Sequence, residues 1–164
     1  MKKILIFIFS VFVLVSCSPD EFPPLGDRAD RVSQLTGTWS LTQVTQEDQD
    51  AVRKGFPFFA QVQNITNAFP YTSITLSLNT DNTFTLDNGN APNILGGLSS
   101  GTWAVDDQLF PSTLIFTSGS DSFELSIGSF AEIGDGVITL KKARMEERDG
   151  SLNSVLEYNY EFSK

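Results

Sequence analysis

The chain has 164 residues, with 20 acidic residues against 11 basic ones, no histidine and one cysteine. Its net charge of −9 repels nucleic acid and anionic head groups, which excludes a phosphate-backbone partner. The missing histidine removes the usual general base, the usual pH switch and the commonest zinc ligand, and a lone cysteine has no disulfide partner within the chain.

Lys2 and Lys3 precede an apolar run over 4–15, the length of a signal-peptide core and shorter than the roughly twenty residues that span a bilayer. The run ends at Leu14-Val15-Ser16-Cys17, which resembles the lipobox of bacterial lipoproteins. That resemblance implies a signal peptide over 1–16, cut just before Cys17, and acylation of the Cys17 thiol; the alternative is an ordinary secretory signal with an incidental cysteine. Cleavage removes Lys2 and Lys3 and leaves nine basic residues against 20 acidic, a balance of −11. The remaining length suits one domain with a sizeable core. Residues 17–34 read as a lipidated tether, polar and Pro-rich at first and without periodicity. Within it Asp20-Glu21 is similar to the signal that sends Bacteroidota lipoproteins to the outer face of the outer membrane, although polar linkers are common in any case.

From residue 35 the pattern is that of strands. The first covers 36–46, with Trp39 and Leu41 on one face and Thr38, Ser40, Thr42 and Val44 on the other. Glu47-Asp48-Gln49-Asp50 opens a helical turn that Gly55-Phe56-Pro57 stops. The spacing over 58–69 then turns helical: Phe59, Val62, Thr66 and Phe69 form one stripe, with Phe58 and Ile65 beside it, and Pro70 ends the run. A short amphipathic helix between the first two strands would cover a barrel mouth or pack on the wall. Alternation returns at 74–78 and 84–86 around the Asn79–Asn82 turn, and a long loop over 87–100 precedes the fourth strand at 101–105. Further strands follow at 112–117, 123–127 and 137–145, and Asp149-Gly150 signals a hairpin into 156–162, where Leu156, Tyr158, Tyr160 and Phe162 share a face. Eight short strands joined mostly by tight turns predict an all-β, eight-stranded antiparallel up-and-down barrel, because closure removes exposed edges; a two-sheet sandwich is the alternative.

Groups that could carry chemistry are sparse. Asp87-Asn88-Gly89-Asn90 has oxygen ligands and a glycine turn but lacks the acidic residue that closes a calcium loop, so no metal site is expected. Residues 96–101 lack the lysine of a phosphate loop, and the serines lack a histidine base. The carboxylates at 106–107 and 146–147 sit at turns or strand ends, where solvated charge is normal. The expectation is no enzyme, no catalytic residue and no cofactor.

Leu35-Thr-Gly-Thr-Trp39 has an echo in Ser100-Gly-Thr-Trp103, and each reads as a strand start in which glycine permits close approach. Gly37-Thr38-Trp39 resembles the opening strand of lipocalin-like domains, in which the tryptophan closes one barrel end and an arginine caps it; Arg144 is the candidate cap. The ordered set of lipobox, Leu35-Thr-Gly-Thr-Trp39, Gly55-Phe-Pro57, Ala91-Pro-Asn93, Ser100-Gly-Thr-Trp103 and Tyr158-Asn-Tyr-Glu-Phe162 is similar to a group of Bacteroidota lipoproteins of unknown function. The resemblance covers 35–164 and implies a lipocalin-like barrel, closed by Trp39 and Trp103, on a lipid anchor in the membrane; with Asp20-Glu21 the expected location is the outer membrane, with cell-surface display one of two alternatives. The expected function is a non-catalytic binding module for a small molecule, glycan or envelope protein. Its ligand or lid residues would be Phe58, Phe59, Val62, Phe69 and Tyr71. The alternative is a structural or accessory lipoprotein with a filled barrel.

Overall fold

A computed structural model describes Gly26 and residues 29–164. The segment expected to be a signal peptide, Cys17 and most of the expected tether lie outside the described residues. The elements are α1 (Arg31–Leu35), β1 (Gly37–Asp48), α2 (Gln49–Arg53), α3 (Phe58–Gln61), β2 (Val62–Asn64), β3 (Thr75–Leu78), β4 (Thr83–Asp87), β5 (Ser100–Val105), β6 (Thr113–Ser118), β7 (Asp121–Ile127), β8 (Val137–Arg148) and β9 (Ser151–Ser163). Each strand from β3 onward pairs antiparallel with the next, β1 pairs with β3, and β9 returns to β1, so eight strands close into a barrel and the sandwich is excluded. The pairing removes the edges that an open meander would expose. β2 is a short extra strand on the upper half of β1, where β3 no longer reaches.

The alternation expected along β1 breaks once. The β1–β9 register shifts between Leu41 and Gln43, so Thr42 is the extra residue of a bulge and its hydroxyl donates to the Glu161 carbonyl. A bulge moves every later residue to the opposite face. Val44, expected on the outer face, is therefore fully buried with Trp39 and Leu41.

All eight barrel strands send large side chains inward. The fully enclosed ones include Trp39, Leu76, Leu78, Phe84, Leu114, Phe116, Leu125, Leu140 and Phe162, and the Phe84 and Phe116 rings meet edge to face at 5.0 Å. The 88–99 loop adds Ala91, Ile94, Leu95 and Leu98 to the same core. One asparagine shapes that loop: the Asn93 side chain accepts from the Leu95 and Gly97 amides and donates to the Leu98 carbonyl. At its tip Gly96 has φ +64°, and a Cβ there would lie 2.6 Å from the Phe123 ring. The loop thus caps the barrel end at which β4 finishes and β5 begins, here the upper end.

The lower end is sealed differently. α1 starts at an Asp30 cap, lies partly in the segment read as tether, and buries Leu35. The Trp39 indole donates to the Leu35 carbonyl at 2.8 Å, and the Lys164 ammonium sits 4.3 Å over its ring while donating to the Gln34 carbonyl. Gly37 makes room, since a Cβ there would sit 2.9 Å from Lys164 Cε. The cation on Trp39 is therefore Lys164, not Arg144. Arg144 lies near the other end of β8, 3.7 Å from Glu146. Trp103 is buried too, with its indole donating to the Asn79 carbonyl at 3.0 Å.

The helix expected over 58–69 is one turn long. α3 ends at Gln61, because Val62 to Asn64 find ladder partners on β1 at Glu47, Gln46 and Thr45. Asn64 then turns the chain by accepting from the Thr66 amide. An unpaired strand edge offers this short segment more hydrogen bonds than a helix could, which overrides its apolar spacing. α2 matches the expected turn, with Asp48 capping the Asp50 and Ala51 amides.

Candidate functional site

β1, β8 and β9 are much longer than β3 to β7, and they continue above the plugged part of the barrel. Directly paired residues in neighbouring strands point to the same face, so the register gives the makeup of that face layer by layer. Val44, Tyr160 and Leu140 form a buried layer. Two residues higher the same face carries Gln46, Tyr158 and Lys142, and Gln63 of β2 pairs with Gln46 to extend the row across four strands. Higher still come Asp48, Leu156 and Arg144. The inward face thus changes from apolar to polar where the strands outgrow the core.

Phe59, Gln61 and Gln63 border an open groove with Gln46 and Asp48. Tyr158, opposite Gln46 in the register, begins a tyrosine cluster on the same face. Tyr158 and Tyr160 stack with centroids 6.4 Å apart, and Tyr71 takes the edge of Phe69 at 5.6 Å. Burial raises the Tyr160 phenol well above the ordinary tyrosine range, with the nearby Tyr71 and Tyr158 adding to the effect, and burial also raises Tyr71. Lys142 is already engaged: its ammonium donates to the Glu124 carbonyl at 3.1 Å and lies 4.2 Å over the Phe123 ring. It bridges the seam above the two residue pairs that join β7 to β8.

The upper rim is braced by charge. Asp50 of α2 pairs with Arg53 and with Arg148 of β8, which also reaches Glu146 at 3.3 Å, and the two arginines hold the Asp50 carboxyl below its usual range. Exposed pairs of this kind contribute little stability, so their effect is mainly to orient α2 on the β8–β9 hairpin.

The residues expected to form a ligand site or lid are split by this arrangement. Phe58 and Phe59 are 74% and 84% exposed and Phe69 is 52% exposed, while Val62 is half-buried and Tyr71 is only 7% exposed. None of the three phenylalanines plugs the barrel, and the sealing expected of their segment is supplied by the 88–99 loop. Sequence reading did not single out Gln46, Gln63, Tyr158 and Tyr160 as a group. The signal that unites them is register, with Gln46 opposite both Gln63 and Tyr158, and the Thr42 bulge set that register.

The eight-stranded up-and-down barrel fits a calycin-like fold. Comparison with curated proteins and with solved structures finds no match. One family model does match, over residues 15–127, and stops at the end of β7, before the two long strands that complete the barrel. The chain belongs to the family described as domain of unknown function DUF5004.

Proposed function

We propose that this protein is a lipoprotein of the outer membrane, anchored through an acylated Cys17, and a non-catalytic binding module that takes its ligand outside a filled barrel. The observation that carries this reading is the exposure of Phe58 and Phe59 on a segment fixed to the upper end, beside the polar groove of Gln46 and Gln63. Exposed aromatic rings grouped on one braced element, rimmed by polar side chains, mark interaction sites more often than bare surface. The described chain enters the barrel through α1 at the lower end, and the groove lies at the upper end.

The filled interior favours a second reading, an accessory envelope lipoprotein without a small-molecule ligand. The readings separate on Phe58→Ala/Phe59→Ala in the full-length protein purified in detergent. Both rings are exposed, so each change should move stability by no more than about 0.5 kcal/mol. On the binding reading, ligand retained through purification and seen by native mass spectrometry is lost in the double variant. A wild type that retains nothing supports the accessory reading.

A further inference from the structure

Tyr71 and Tyr160 are 7% and 8% exposed, yet neither phenol hydroxyl hydrogen-bonds to a described residue, and the same holds for the Tyr158 hydroxyl and the Gln46 and Gln63 side-chain amides. No sealed side-chain polar atom among the described residues lacks a partner, so each of the two phenol oxygens keeps some accessible surface. Rings held in the core with an accessible, unpartnered oxygen are fixed polar groups, with little side-chain entropy left to lose on binding.

The chemistry of the set selects among ligands. Phenols and primary amides both donate and accept, as do the hydroxyls of a sugar. An apolar ligand would strip water from five such groups and return nothing, at a cost for each. An anion would meet a chain of net charge −9, and the nearest cations are committed, Lys142 to Phe123 and Glu124 and Arg144 to Glu146. From Gln63 to Tyr158 the row crosses two strand spacings, about 10 Å, the span of a short oligosaccharide. Phe59 at the groove's edge offers an aromatic face to sugar C–H groups.

The geometry points to a neutral oligosaccharide as the ligand of this face, lying across Gln63, Gln46 and Tyr158 with sugar hydroxyls on Tyr71 and Tyr160. The inference rests on the binding-module reading and specifies its ligand class and contacts.

The test is titration calorimetry on the full-length protein in detergent, against a panel of neutral oligosaccharides covering α- and β-linked glucans, mannans, xylans and galactans. Side-chain amide NMR signals are followed in parallel. At least one sugar should bind and shift the Gln46 and Gln63 amide resonances. Tyr71→Phe and Tyr160→Phe keep the rings, so each should weaken that sugar about tenfold while leaving the melting temperature in place. The inference is overturned if no panel member binds, or if a sugar binds with affinity untouched by both phenylalanine variants and by Gln46→Ala. If the sugars fail while a co-purified lipid or peptide is lost from Phe58→Ala/Phe59→Ala, the glycan assignment falls and the binding-module reading stands. If the wild type retains nothing and binds no sugar, both fall.

Discussion

Trp39 is held by a hydrogen bond to Leu35, by a cation over its ring and by complete burial, and the three depend on one another. Trp39→Ala should cost about 3–5 kcal/mol in chemical denaturation, which would remove much of the stability of a domain this size. Tyr160 gives the residue scale a pH signature. Its folded-state phenol is held above the ordinary value of 10.0, so the neutral form stabilises the fold fully below that value, and the contribution is lost as the pH rises beyond it. Denaturation midpoints measured between pH 9 and pH 11.5 should therefore fall less steeply in Tyr160→Phe than in the wild type. The burial of Trp39 was legible from Gly-x-Trp at a strand start. Its capping cation was not, because Lys164 reaches it only after β9 has returned along β1, a contact 125 residues apart that no local spacing encodes.

Among the elements, the 88–99 loop and the strand after it carry the most decisive tests. Leu95 is fully buried in the plug, so Leu95→Ala should cost about 2–5 kcal/mol, a value typical of core leucines and far above that of a surface loop. Gly101 has φ +156°, and a Cβ there would lie 2.0 Å from the Thr117 carbonyl oxygen, so Gly101→Ala should shift the urea midpoint sharply downward or prevent folding. The eight barrel strands and most turns could be read locally. Asp149 and Gly150 both take positive φ, 53° and 76°, as a two-residue hairpin with that sequence requires. Two features escaped because they are tertiary. The apolar spacing of 58–69 suits a helix in isolation, yet the free upper edge of β1 captured Val62 to Asn64 as a strand. The 87–100 segment, full of turn formers, read only as a long loop, although four of its apolar side chains complete the core. The polar row needed the bulge at Thr42, which no residue type announces.

At the scale of the molecule, the lower end of the barrel is closed by α1 and Lys164 over Trp39, and the upper end presents the aromatic segment and the polar row. Cys17→Ser should abolish incorporation of labelled palmitate, and a wild type that takes up no label would refute lipidation. We infer that recognition takes place on the upper face, outside a filled core. It is tested most directly by hydrogen exchange on the full-length protein, comparing its state in its own envelope vesicles with the detergent-purified form. Extra protection confined to residues 46–63 and 156–160 is expected in the vesicles. Equal exchange in the two states, or added protection restricted to residues 31–36 and 129–136 at the lower end, would contradict it.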